Sequence, residues 1–407
     1  MRWTLFLVFY LLLGWYSFQA FKTVYSKWPL LVGIGVVWVV VILNLFYQFV
    51  WRADLSNALT SSKMYAMSFV MAMVVFKLFV VIFLLSEDLY RSLHWIGVKL
   101  FSSNTASIPS RRKFISLIAL GIASLPFGAL LYGMYKGKYN YKVLEYELEF
   151  DDLPEAFEGY QITHISDIHS GSFDDYDKVA YGVDLINKQK SDVIFFTGDL
   201  VNNEASEMNN WKELFSKLTA KDGVFSILGN HDYGDYKQWE SEAEKQQNFK
   251  DLIELQKSMG FELLLNENRY IHKGDHKIAI VGVENWGQGF KQKGDLEKAS
   301  VGISKEDFKI LLSHDPTHWE SQVIKHDDHY HLTLSGHTHG MQFGIEIPGW
   351  FKWSPVKWRY KYWAGIYKEM GQYINVNRGF GYLAFPGRVG IWPEITVIEL
   401  KKGKPLA

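Results

Sequence analysis

The stretch FTGDLVNN (196–203) closes a short continuous apolar run, DVIFFTGD (192–199), by setting an Asp beside a Gly. A run of that kind marks a strand buried on both faces. Two further stretches repeat the arrangement: LGNHDYG (228–234), at the end of GVFSIL, and LSGHTHG (334–340), at the end of YHLTL. Each places Asp, Asn or His at the tip of a buried strand. Polar tips on neighbouring strands gather at one edge of a sheet, where several of them can aim side chains at a single point.

The surrounding sequence supplies the rest of a fold. KVLEYELEF (142–150) alternates apolar and polar residues, as a half-buried strand does, and YQITHISDIH (160–169) reads as a strand ending in polar residues. Helical spacing appears next in DKVAYGVDLINKQK (177–190), in WKELFSKLTA (211–220) and over Lys237 to Met259. KIAIVGVEN (277–285), FKILLSHD (308–315), YHLTLSGHTH (330–339) and EITVIEL (394–400) read as further strands. Alternating strands and helices imply sheets with helices packed outside them. The expectation is an α/β domain over 143–407, a two-sheet β-sandwich flanked by helices.

The strand tips carry, in chain order, Asp167 and His169, Asp199, Asn230 and His231, His314, then His337 and His339. All but His231 are read as hard oxygen or imidazole ligands for a metal of the Mn, Fe or Zn type. Seven ligands exceed the needs of one ion and suit two divalent ions sharing a carboxylate. The chain has no Cys, which excludes disulfides, thiolate catalysis and Cys-ligated zinc. Of its thirteen histidines, the eight outside these tips are read as structural or exposed. His164 is expected to be packed; His331 and Glu284 lie on segments leading towards the tips but are not assigned to the site.

The blocks DIH (167–169), GD (198–199), GNHD (229–232), SHD (313–315) and GHTH (336–339) stand in an order that resembles the calcineurin-like metallophosphoesterase superfamily, over about residues 143–400. The resemblance implies that Asp167, His169 and His339 hold one ion, that Asn230, His314 and His337 hold the other, and that Asp199 bridges them. It implies that His231 acts in catalysis, on the phosphoryl oxygens or the leaving oxygen, with Asp232 orienting its imidazole. Gly198, Gly229 and Gly336 are expected to allow the turns that present the ligands. The activity implied is metal-dependent hydrolysis of a phosphodiester or pyrophosphate bond. GDLVNN and GNHD lack the Arg and Glu of the protein phosphatases of this superfamily. GHTHGMQF and the segment ending NRGFG resemble a membrane-associated branch that often carries Gly where Met341 stands; related enzymes cleave phosphodiester or pyrophosphate bonds, including that of a lipid-A precursor.

Residues 1–135 differ in character. Apolar segments near 3–21, 29–50, 64–85 and 114–134 each approach the ~20 residues of a membrane-spanning helix. This predicts a multi-pass membrane region, with 136–142 as a linker to the α/β domain. Arg91, Lys99, Arg111, Arg112 and Lys113 fall between the third and fourth segments, which places that loop in the cytoplasm and the catalytic domain on the extracytoplasmic face. SRRKFISLIALGIA, from Ser110, resembles a twin-arginine export signal; the other reading is a basic helix flank.

The net charge of −1 argues against a nucleic-acid partner, and no protein partner is inferred. The segment 343–363 interleaves Trp350, Phe351, Trp353, Trp358, Tyr360, Tyr362 and Trp363 with Lys352, Lys357, Arg359 and Lys361. Two readings stand: contact with membrane lipids beside a lipid-linked substrate, or packing on the second sheet. The competing function is a non-catalytic metal- or nucleotide-binding sensor on a membrane scaffold. A transport unit finds support only in Lys77 and Asn44.

Overall fold

The computed structural model describes residues 2–52, 59–101, 111–347 and 349–403. Two compact units result, one from the apolar helices ending at Met134 and one beginning at Tyr135.

The first unit holds α1 (Arg2–Val24), α2 (Trp28–Phe46, continued by a π-helical turn to Trp51), α3 (Ser61–Phe101) and α4 (Arg112–Tyr135). All four are long and apolar enough to cross a bilayer, and the protein is a multi-pass membrane protein. Small residues let the helices approach: Ala20 of α1 packs with Val80 and Leu84 of α3 and with Ala119 and Ala123 of α4. The third helix runs past the expected limit at 85, so Arg91 and Lys99 are helical and not part of a loop. Its acidic pair, Glu87 and Asp88, holds Arg112 at 2.9 and 2.6 Å. Arg112 thereby ties the start of α4 to α3, which is a structural role for the second arginine of the SRRKFI stretch. Ser110 lies outside the described residues.

The second unit is a two-sheet sandwich. The first sheet has the order β1 (Lys142–Phe150), β14 (Glu394–Lys402), β2 (Tyr160–Ile165), β3 (Val193–Phe196), β4 (Val224–Ser226) and β5 (Phe261–Leu263). The second has the order β12 (Gly365–Glu369), β13 (Gln372–Val376), β9 (Leu332–Ser335), β8 (Lys309–Leu312), β7 (His276–Gly282) and β6 (Glu267–Lys273). A separate hairpin pairs β10 (Ile345–Ile347) with β11 (Phe351–Trp353). The run VIFF shows why the sequence specifies this layering. Val193 and Phe195 point between the sheets, among Ile162, Ile280, Ile310 and Leu334. Ile194 and Phe196 point outward, against Val179, Val183 and Ile186 of α5 (Tyr176–Lys188). Both faces are apolar because both are covered.

Two helices are shorter than the sequence suggests. The helix expected over 237–259 spans Glu242–Ser258 and begins where the Ser241 side chain accepts the Glu244 N–H. Trp239 is held away from that helix by its indole N–H, which donates to the Gly234 carbonyl at 2.7 Å. WKELFSKLTA keeps only one α-helical turn, Lys212–Phe215. Within 136–142 the structure places a 3-10 turn, Gly137–Tyr139, with all three residues buried, before β1 starts at Lys142.

β2, β3 and β4 are mutually parallel, and so are β7, β8 and β9. Their C-terminal ends therefore leave each sheet at one edge. The two edges are linked directly: Nδ1 of His314, after β8, meets the carbonyl of Thr197, after β3, at 2.7 Å.

Candidate metal centre

Two buried groups with metal-ligating potential lie at these strand ends, Asp167–His169–His339 and Asp199–His314–His337. In the first, Nε2 of His339 lies 3.2 Å from Oδ1 of Asp167 and 3.0 Å from Nε2 of His169. In the second, Nε2 of His314 lies 3.2 Å from Oδ2 of Asp199. That same Oδ2 is 3.5 Å from Nε2 of His169, in the first group. Asp199 thus touches both groups, and its Oδ1 is occupied by the backbone N–H of His231 at 2.8 Å. Asn230 joins the second group through Oδ1, 2.8 Å from Nδ1 of His337.

The loops reach this geometry through unusual backbone. Asp167, His169, Asp199, His337 and His339 all have φ between 49° and 69°, in the left-handed region that costs a non-glycine residue energy and tends to mark functional sites. Gly198 shares the sign, at φ 91°, and serves its turn as the sequence reading expects. Gly336 acts otherwise: a Cβ there would lie 1.8 Å from Oγ of Ser166 and 2.3 Å from Oδ2 of Asp167. Its contribution is room for a ligand side chain.

The donor set fits a bound cation. Nδ1 of His314 faces a carbonyl and so carries a proton, which leaves Nε2 as the inward-facing atom; that nitrogen is fully buried, with the Asp199 carboxylate 3.2 Å away. An outer hydrogen bond fixing the tautomer of an inward-facing nitrogen is the usual setting of a metal-ligating histidine. His169 repeats it, with Nδ1 held 3.1 Å from Oδ1 of Asn202. Burial above all pushes His169 far below its usual range. Burial also opposes charge on Asp199, yet the neighbouring imidazoles, led by His314, hold its carboxyl well below the carboxylate range. Burial opposes charge on His314 too, but Asp199 beside it raises its pKa to about 10, so anionic oxygens and ring nitrogens converge where a positive charge is needed.

His231 stands beside the groups, its ring 4.9 Å from that of His169 and 4.3 Å from that of Tyr236. Its Nδ1 is held at 2.8 Å by the carbonyl of Asn202. The expectation that Asp232 orients this imidazole is not met. Asp232 accepts the backbone N–H groups of Asp199, Leu200 and Gly229, each at 2.8 Å. With the Val201 N–H at 3.4 Å, four amides engage this carboxyl, which organises the loop after β3; the orientation of His231 falls to Asn202.

Asn202 is thus one functional position the motifs did not single out. Arg388 is another: fully buried, it donates to the carbonyls of Arg378 and Gly381 at 2.7 and 2.6 Å and comes within 3.3 Å of Nδ1 of His339. Tyr360 is a third, with its hydroxyl at Nε2 of His337. His164 is packed, as expected, between Thr197 and Asn375. His331 bonds Asp152, and Glu284 accepts from Tyr233 and Asn266; neither belongs to the two groups. The segment 343–363 divides. Tyr360, Tyr362 and Trp363 are buried, whereas Trp350 and Trp358 are 80% and 75% exposed.

Comparison with known proteins agrees with this geometry. A model described as the probable calcineurin-like phosphoesterase transmembrane domain matches residues 1–138, and the calcineurin-like phosphoesterase model matches residues 160–341. The metallophosphoesterase YkuE of Bacillus subtilis (strain 168) is 30% identical over 299 residues, covering 72% of this chain and 98% of that one. A transmembrane protein with metallophosphoesterase domain from Danio rerio is 28% identical over 312 residues, covering 73% of this chain and 64% of its own length, so the chain spans under two thirds of that relative. Phosphodiesterase YaeI of Escherichia coli (strain K12) is 26% identical over 293 residues, covering 72% of this chain and 99% of that one.

Proposed function

The chain belongs to the calcineurin-like metallophosphoesterases, and from that premise we propose that it cleaves a phosphodiester or pyrophosphate bond at a two-metal centre held on a membrane anchor. Asp167, His169 and His339 would hold one ion, Asn230, His314 and His337 the other, with Asp199 shared. The observation that carries this reading is Oδ2 of Asp199, buried and placed between Nε2 of His314 and Nε2 of His169, one from each group. A bound pair of divalent cations lowers the pKa of a shared water and draws charge from phosphoryl oxygens. The chain supplies the rest. Asn202 keeps the proton of His231 on Nδ1, so Nε2 is the atom that meets substrate oxygens. A proton taken up at Nε2 can then pass to the leaving oxygen.

A lipid-linked substrate is supported by the exposed apolar surface beside the site. Trp350, Trp358, Ile345 and Ile347 are all exposed, with Lys357 and Lys361 among them. Aromatic and basic residues together favour the headgroup layer. The basic residues at the end of α3 and the start of α4 support an extracytoplasmic catalytic domain.

The test uses the full chain in detergent, loaded with Mn²⁺ and offered bis(p-nitrophenyl) phosphate beside the monoester. Hydrolysis that requires metal and disappears in Asp199→Asn and His231→Ala is expected. Two bound ions without turnover of any ester, soluble or lipid-linked, would overturn the reading in favour of a sensor. For the lipid arm, Trp350→Ser with Trp358→Ser should spare the soluble diester and slow a diester presented in vesicles. Equal losses on both substrates would remove the lipid argument.

A further inference from the structure

Lys77 sits in the middle of α3, fourteen residues from Lys63 and ten from Glu87, which is about 21 and 15 Å of helix rise. It does not snorkel to either end. Its side chain is fully buried and turned between α1 and α2. The ammonium lies 3.5 Å from the ring centre of Tyr10 and 4.2 Å from that of Trp38. Two aromatic faces stabilise a cation but accept none of its three N–H groups in the usual way. Nζ has no hydrogen-bond partner among the described residues. An unpaired cation within a membrane span is costly and by default marks a functional position.

Beside it is a groove of about 330 Å³, lined by Gly14, Phe18, Gln19, Lys22, Trp38 and Lys77 among others. Among the described residues that line it there is no Asp or Glu. Two lysines and no acid define an anion site, and apart from Gln19 the remaining walls are largely apolar. Gly14 opens the groove at the ammonium: a Cβ there would stand 3.4 Å from Nζ. Lys22 is eight residues further along α1, about 12 Å nearer the end of the helix. The groove therefore has a cation at mid-span and a second towards the helix end.

We propose that this groove binds a long-chain fatty acid, its carboxylate paired with Lys77 and its single acyl chain laid along α1 and α2. The volume suits one chain and not a diacyl lipid with its headgroup. The depth of Lys77 favours a carboxyl, which crosses hydrocarbon as the neutral acid and ionises beside a cation. Lys22 attracts the anion at the mouth. The site would let the membrane unit report on free acyl chains, independently of which bond the catalytic domain cleaves.

The experiment reconstitutes the full chain in phosphatidylcholine vesicles with spin-labelled stearic acid, its spin-labelled methyl ester or spin-labelled phosphatidylcholine. The motionally restricted fraction should be several-fold larger for stearate than for either neutral probe, and unlabelled palmitate should displace it. Lys77→Met should reduce stearate to the level of the ester. Gly14→Leu, which keeps the ammonium but fills the groove, should do the same, and provides the test if Lys77→Met fails to fold. Lys27→Gln, outside the groove, should leave the preference intact. Equal fractions for stearate and ester in the unaltered chain, or a preference surviving both groove variants, would overturn the proposal.

Discussion

The hydroxyl of Tyr360 and Nε2 of His337 stand 2.8 Å apart. Oδ2 of Asp315, which has no hydrogen-bond partner among the described residues, is 3.4 Å from the same nitrogen. These groups hold the outer face of the imidazole, while Nδ1 faces Asn230. A ligand braced in this way loses about 10- to 100-fold in metal affinity when its brace is removed. On the proposed assignment of His337 to the second ion, Tyr360→Phe should release that ion at lower chelator concentration, with the first retained. Elemental analysis after graded dialysis against chelator reads this directly. Identical retention of both ions in the variant would show that Tyr360 is only packing.

The tips of the buried strands were legible because the chemistry and the pattern coincide there. VIFF and LTLS announce two-sided strands, and each runs straight into a glycine flanked by a polar residue. The sandwich and the four apolar helices emerge from the same periodicities. Residues that act on the ligands from behind left no such trace. Asn202 looks like an ordinary loop residue; only the fold brings its side chain to His169 and its carbonyl to His231. Arg388 lies far along the chain, and its role depends on a loop that folds under Asp167, where Gly381 N–H meets the Asp167 carbonyl at 2.8 Å. Asp232 misled because adjacency in sequence suggested adjacency of function, whereas the turn after Asn230 directs its carboxylate into backbone amides. The division of segment 343–363 was equally invisible, since burial there depends on which residues of a hairpin and turn face the domain.

Met341 has φ 56°, in the left-handed region, and its side chain is 53% exposed. The conformation costs a non-glycine residue roughly 1–2 kcal/mol. Glycine removes that cost but gives back roughly 0.4–1 kcal/mol through the greater freedom of its unfolded chain. Little apolar burial is lost at so exposed a position. Met341→Gly should therefore be neutral to stabilising, by at most about 1.6 kcal/mol on these two figures. A rise of up to a few degrees in Tm would result for a domain of this size. A clear fall in Tm would show that the thioether contributes contacts that outweigh the strain.

His164 is fully buried, and burial pushes its pKa down to about 3. In the unfolded chain it takes up a proton near pH 6.5; in the fold it stays neutral well below that. The neutral imidazole therefore contributes stability above pH 6.5 that is lost as the pH falls towards 3. Other titrating groups are common to the unaltered chain and the His164→Gln variant, so the difference between them isolates this one. With metal stripped, urea melts between pH 7.5 and 4.5 should show the variant's disadvantage shrinking as the pH falls, with a limiting slope of one proton. A difference independent of pH would mean that the imidazole is solvated in the fold.

Arg359 is exposed at the mouth of the site, its guanidinium centre 5.4 Å from the ring centre of Phe290 and 5.5 Å from that of Tyr360. Phe290 in turn stands edge to face against His337 at 4.7 Å, and Tyr360 bonds the same imidazole. No ion pair engages Arg359 among the described residues, so its charge remains available to an incoming anion. GDLVNN carries no arginine, and for an anionic diester substrate Arg359, from the far end of the chain, offers the guanidinium that this stretch lacks. A contact made equally in the bound substrate and the transition state raises KM on removal and leaves kcat unchanged. Arg359→Ala should raise KM for an anionic diester about tenfold, a loss of about 1.4 kcal/mol, and should flatten the salt dependence of KM. Arg359→Lys should recover only part of the loss, because an ammonium cannot reproduce the two-pronged contact of a guanidinium. An unchanged KM in Arg359→Ala would show that this guanidinium does not meet the substrate.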